Sequence, residues 1–154
     1  MCRLCWVIVV VLSLATSGLL YKFVFSGSVV AGDDGRQAIQ LSAGERDIVF
    51  LEMRTFLDSV QKITKGIVDK DMKLIADAAN KVGSAAQQQM PGTLVGKLPL
   101  EFKKLGFDTH SKFSQLAMDA ESLGDEQHAL KQVSDLMENC VACHETYKIE
   151  VSLK

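Results

Sequence analysis

From Trp6 to Leu20 the chain runs WVIVVVLSLATSGLL without a charged residue, and Arg3 precedes this run. Such a segment is an export signal of some kind, so the rest of the chain is expected outside the cytoplasm. Fifteen residues rising 1.5 Å each span only about 22 Å, short of a hydrocarbon core of roughly 30 Å. Continuing through Tyr21, Lys22, Phe23, Val24 and Phe25 brings the helix to about 30 Å, with Lys22 snorkelling to the interface. Val29-Val30-Ala31 offers small residues where a signal peptidase could cut before Gly32. Residues 1–25 therefore read as a signal anchor or as a signal peptide, the anchor being the preferred reading. With Arg3 and Lys22 set aside, the exported part is mildly acidic, like the whole chain with its net charge of −2.

Residues 26–41 (SGSVVAGDDGRQAIQL) hold three glycines and two adjacent aspartates and read as a linker. Ser42, followed three residues later by Glu45, makes a capping box that opens a helix. Its apolar positions Val49, Met53, Phe56, Leu57, Val60 and Ile63 recur at three- and four-residue steps, and it is expected to stop at Gly66. Asp69 or Asp71 can cap a second helix reaching about Gln88, with Met72, Ile75, Ala76, Ala79 and Val82 on one face. The segment 89–98 reads as a loop, Pro99 suits the first turn of a third helix to about Leu123, and Gly124-Asp125 turns into a fourth, about Glu126 to Ile149. No strand pattern stands out. Four amphipathic helices joined by mostly short loops predict an all-α domain over residues 42–154, an antiparallel four-helix bundle preceded by the apolar helix.

Composition narrows the function. Basic and acidic residues are interspersed, so there is no footprint for nucleic acid, and no glycine loop is suited to phosphate. No Ser/His/Asp or paired-carboxylate arrangement suggests hydrolysis, and the chain is not expected to be an enzyme. The chemistry lies in Cys140-Val141-Ala142-Cys143-His144, a C-x-x-C-H pattern for covalent attachment of one haem c. Two thiols add to the two vinyl groups on one haem edge, and the histidine beside the second thiol supplies the proximal bond to iron. A redox disulfide would be expected near a βαβ pattern, which is absent, and a structural zinc site needs four ligands where only His110 and His128 remain as imidazoles. Cys2 and Cys5 are expected to do nothing specific.

A C-x-x-C-H on the last helix of a four-helix bundle resembles cytochrome c′ and its low-spin relatives. The likeness covers about residues 42–149, its specific part being CVACHETYK. Tyr147 and Lys148 match an aromatic and a basic position of that family. Arginine is usual at the second, so a haem propionate contact by Lys148 is a point charge in place of a bidentate fork. The resemblance implies that the first helix covers the distal face of the haem. There, high-spin members place an apolar side chain and bind nitric oxide or carbon monoxide, and low-spin members place a methionine and transfer electrons. Met53 is the one methionine of that helix. Methionine in an apolar stripe is ordinarily a core residue; its position makes it the candidate sixth ligand, and His–Met ligation suits electron transfer.

Phe50, Phe56, Leu57 and Tyr147 are expected against the macrocycle, and Arg54 near a propionate or in solvent. Met72 and Met137 read as core or haem-packing residues, and His128 as too far from the motif to reach the same iron. His110 on the third helix could ligate iron as a neutral imidazole, the surface or loop-contacting role being the preferred reading. The expected function is electron carriage by a monohaem cytochrome. It would sit on the periplasmic side of a bacterial inner membrane, or be soluble in the periplasm if the signal is cleaved. Gas binding at five-coordinate iron, or service as the haem subunit of a larger respiratory complex, are the alternatives. Partners would be redox proteins and the membrane, and the resemblance implies pairing of two copies through their first helices.

Overall fold

The computed structural model describes residues 3–87 and 90–152, and among these the chain is mostly helical. An apolar helix, α1 (Arg3–Leu20), continues as a wider π-type turn through Tyr21–Ser26. Its residues are exposed almost throughout, and by length and composition it can cross a membrane, as a signal or as an anchor. Met1 and Cys2 lie outside the described residues.

The predicted capping box is present. The Ser42 hydroxyl accepts from the Glu45 amide at 3.3 Å, and the Glu45 carboxylate accepts from the Ser42 amide at 2.8 Å. It opens α2 (Ala43–Asp69), which passes through Gly66 instead of stopping there. Gly66 is a point of close approach: a Cβ on it would lie 2.7 Å from Ile75 Cγ1. The helix ends at Lys70, which takes the left-handed conformation at φ 57°.

Asp71 caps α3 (Met72–Asn80), accepting from the Leu74 amide at 2.9 Å. This second helix is shorter than expected. It breaks at 81–83, where a Cβ on Gly83 would meet Ser114 Oγ at 2.6 Å and the Ser84 amide donates to that hydroxyl at 2.9 Å. A single turn, α4 (Ser84–Gln87), follows; Gln88 and Gln89, expected at the helix end and loop start, lie outside the described residues. Another single turn, α5 (Gly92–Val95), sits in the expected loop. Pro99 is the cap before α6 (Leu100–Leu123), and Asp125 caps α7 (Glu126–Thr146) by accepting from the Gln127 and His128 amides.

The main core draws on four helices: Phe56 and Ile63 from α2, Ile75 and Ala79 from α3, Phe113 and Leu116 from α6, Val133 and Leu136 from α7. Each of these side chains is less than one-tenth exposed. At roughly 25 cal/mol per Å² of apolar area removed from water, this interior is the chief stabilising term.

The expectation of an all-α domain with a linker over 26–41 is corrected by a three-stranded sheet. Its strands are β1 (Val29–Ala31), β2 (Gln37–Leu41) and β3 (Tyr147–Val151), in that spatial order. β1 and β2 are antiparallel with Val29 opposite Ile39, and β2 and β3 are parallel with Ile39 opposite Ile149. The last helix therefore ends at Thr146, three residues earlier than expected, where Tyr147 turns to an extended φ of −123°. A parallel pair needs a long crossover, and here the whole helical body between Ser42 and Thr146 serves as one. A second core of Ile39, Leu41, Val49, Leu94, Leu98 and Tyr147 lies where the sheet meets the helices.

Candidate functional site

Cys140, Cys143 and His144 stand at i, i+3 and i+4 on the last turns of α7, a spacing that brings them to one face. That end of the helix is fixed on two sides. Buried Asn139 donates to Asp108 Oδ2 at 2.8 Å and to Thr109 Oγ1 at 3.2 Å, and accepts from Lys112 Nζ at 3.0 Å, tying α7 to α6. Beyond the motif, Arg36 Nη1 from the β1–β2 hairpin donates to the carbonyls of His144 (3.2 Å) and Tyr147 (3.5 Å).

The three motif side chains line a cavity of about 400 Å³ whose surface is overwhelmingly apolar. Helix α2 contributes Met53, Phe56, Leu57 and Val60, and α6 contributes Phe102 and Leu105. A smaller cavity of about 270 Å³ shares Met53, Phe102, Cys143 and His144 with it, and adds Phe50, Arg36, Tyr147 and Lys148. The two are neighbouring parts of one cleft reaching from the helices to the sheet.

Both thiols are free, and burial pushes the pKa of each above its usual value. For Cys143, burial and the adjacent Cys140 raise it to about 11. Polar groups gather on one wall. His110 is 4% exposed; its Nδ1 lies 2.8 Å from the Val82 carbonyl and its Nε2 lies 3.2 Å from Glu52 Oε1. Burial opposes its charge, yet Glu52 and the Val82 carbonyl together hold its pKa above the ordinary histidine value. Its ring also packs on Phe56, with centroids 5.0 Å apart.

The expected residues distribute as follows. Met53, Leu57, Cys140, Cys143 and His144 reach the larger cavity; Met53, Phe50, Cys143, His144, Tyr147 and Lys148 reach the smaller one. Lys148 is engaged by Asp33, Asp34 and Glu150, which raise its pKa. Arg54 lines the larger cavity and makes no ion pair among the described residues. His110 contacts the 81–83 break, as a loop-contacting residue would, but it is buried instead of lying at the surface, and it lines the cleft. His128 pairs with Asp119 at 3.1 Å, away from the cleft. Met72 packs against the main core, while Met137 lines the cavity.

Several cleft residues were not singled out in the sequence: Glu52, Phe102, Leu105, Thr109, Asn139 and Arg36. Phe102, Leu105, Gly106 and Thr109 follow the i, i+3, i+4, i+7 rule, so the α6 stripe was detectable by period alone. Nothing local marked Asn139 or Arg36. Among the described residues no group of three or more His, Cys, Asp or Glu side chains is placed to hold a metal ion. Two thiols and an imidazole on α7, a thioether on α2 and the His110 imidazole on α6 all line one largely apolar space. Comparison with family models, curated proteins and solved structures finds no match for the chain.

Proposed function

We propose that this chain is an exported monohaem c-type cytochrome that carries electrons, built as an antiparallel four-helix bundle from α2, α3, α6 and α7. The observation that carries the reading is the convergence of Met53 with Cys140, Cys143 and His144 on one apolar cavity, although Met53 lies far from the motif in sequence. The residues present fit a haem. Two thiols and a histidine have the attachment spacing, the surrounding wall is apolar, and the combined cleft is of the size that cofactor sites take, about 300–1,000 Å³. A haem held there supplies a one-electron iron centre whose potential is raised by Met–His ligation.

In this reading Cys140 and Cys143 would hold the haem through two thioethers, and His144 and Met53 would ligate its iron. Phe56, Leu57, Phe102 and Leu105 exclude water from the ring. Arg54 suits a propionate better than Lys148, whose charge is already met by three carboxylates. The domain would work on the periplasmic side of the membrane that holds α1, passing electrons to and from partner proteins at an exposed haem edge.

The optical spectrum of the ferrous holoprotein, with and without carbon monoxide, tests this. Narrow low-spin bands indifferent to the gas, and lost in Met53→Ala, are expected. Broad high-spin bands that shift with carbon monoxide in the unaltered protein would replace electron carriage with gas binding. A protein that emerges from a cell equipped for haem c maturation without covalent haem would overturn the reading altogether.

A further inference from the structure

The apolar segment Arg3–Ser26 leaves the domain without slack. At 1.5 Å per residue its 24 residues extend about 36 Å, more than a hydrocarbon core of roughly 30 Å requires. None of it is buried against the rest of the chain, and aromatic residues stand at both ends, Trp6 at one and Tyr21, Phe23 and Phe25 at the other. That is the pattern of a helix whose surface is covered by lipid, with rings at the two interfaces.

A helix end exposes carbonyls with no partner inside the helix. Here the globular domain supplies one. Lys103, on the first turn of α6, donates from Nζ to the carbonyls of Phe23 at 2.8 Å and Val24 at 3.2 Å. It is only 9% exposed, which is rare for a lysine and is understandable where the cation meets the negative end of a helix. Gly27 follows at φ 65°, and a Cβ on it would lie 2.5 Å from the Lys97 carbonyl and 2.7 Å from Pro99 N. The next amide, Ser28, donates to Lys97 at 2.7 Å, the Ser28 carbonyl accepts from Gln40 at 2.7 Å, and β1 begins at Val29. Helix, clamp and sheet follow one another with only Gly27 and Ser28 between helix and strand.

We infer that Arg3–Ser26 is a retained membrane anchor clamped rigidly to the domain by Lys103, which holds the cleft close to the bilayer surface in one orientation. Cleavage before Gly32 would remove β1, open the edge of β2 and leave Lys103 without its acceptors. The cleft is near because α6 carries both functions: Phe102 precedes the clamp, and Leu105 and Thr109 follow within six residues, about 9 Å along the helix. The bilayer, and proteins embedded in it, are then the surroundings that the cleft meets. This inference does not depend on haem being bound.

The test uses the full chain, isolated from membranes and placed in bilayer discs of phosphatidylethanolamine and phosphatidylglycerol. Intact mass is expected to include the residues before Gly32. Hydrogen exchange should show the Gly27, Ser28 and Gly32 amides protected like those of β2, because each donates to a fixed carbonyl. In Lys103→Met, exchange over residues 24–28 should accelerate at least about tenfold, as expected for loss of a charge-assisted bond, while α2 and β2 stay protected. A mature chain beginning at Gly32, or amides at 27–32 exchanging at the rate of a free peptide, would overturn the inference. Unchanged exchange in the variant would overturn the clamp. Should that variant not fold, the unaltered chain alone decides between a rigid joint and a loose tether.

Discussion

Glu52 Oε1 lies 3.2 Å from His110 Nε2 in the wall of a largely apolar cavity, while the other ring nitrogen of His110 faces the Val82 carbonyl at 2.8 Å. Both nitrogens meet acceptors, an arrangement that only the imidazolium satisfies with donors on each side. A buried charge is tolerated when it is paired and hydrogen-bonded in this way.

The pair sets a pH dependence. Burial works against the charge, but Glu52 and Val82 raise the folded pKa of His110 above 6.5. A raised folded pKa adds stability that is complete below the unfolded value and is lost as pH rises through the folded one. The apo domain should therefore be more stable at pH 5.5 than at pH 8.5. Urea unfolding across that range measures it. Glu52→Gln should flatten the profile, and an unchanged slope in that variant would dismiss the pair as its source.

Glu45 acts in the opposite direction. The Lys97 ammonium at 2.6 Å, followed by the Ser42 amide, holds its pKa down to about 2, and its side chain is 15% exposed. A depressed pKa adds stability that is present above 4.5 and lost as pH falls toward 2. Allowing for solvent screening, Glu45→Gln should cost about 1–2 kcal/mol at pH 7. The difference from the unaltered protein should close by about pH 2. Chemical denaturation at pH 7, 4 and 2 follows it; a gap as large at pH 2 as at pH 7 would mean the loss came from packing.

The two motif thiols should be unreactive in the folded apo chain. With the Cys143 pKa raised to about 11, its thiolate fraction at pH 7 falls about two orders of magnitude below that of a free thiol near 8.5. Iodoacetamide labelling followed by peptide mass analysis gives the rate at each cysteine. Labelling of Cys143 as fast as a small thiol would show that it is not buried in solution. In the haem-loaded protein, Cys140→Ser and Cys143→Ser together should abolish haem that survives a denaturing gel.

Two backbone positions near the α2–α3 turn should move stability in opposite senses. Gly66→Ala places a methyl 2.7 Å from Ile75 Cγ1 and 3.0 Å from the Asp71 carbonyl, which should cost about 1–3 kcal/mol. Lys70→Gly relieves a left-handed conformation at φ 57° and should add about 0.5–1 kcal/mol. Thermal melts of the two variants report both; a more stable Gly66→Ala would mean that α3 can shift away at little cost.

Most of the helical frame was legible because its signals are local. The Ser42–Glu45 box, the Asp71 cap, the Gly124-Asp125 turn and the three- and four-residue spacing of apolar positions each act within a turn or two of chain. The C-x-x-C-H motif is local in the same sense, so the thiols and imidazole were evident as a unit before any packing was considered. Met53 and Leu57 belonged to the α2 stripe and were found with it.

What sequence by itself determined was thus the apolar first helix, the long helices with their caps, and the reactive face of α7. Only tertiary structure decided the rest, since it joins residues that no local pattern connects. β2 pairs with β3 across more than a hundred residues, and its burial pattern, with Ala38, Ile39 and Leu41 all inside, lacks the alternation that marks a strand. Gly66 read as a stop because its close contact is with Ile75 on another helix. Arg36 on His144, Glu52 beside His110, and Lys103 on the end of the apolar helix are likewise pairs set by packing. Short-range spacing specifies which face a helix buries, but which side chains meet in a cleft depends on how the helices assemble, and that is a property of the whole chain.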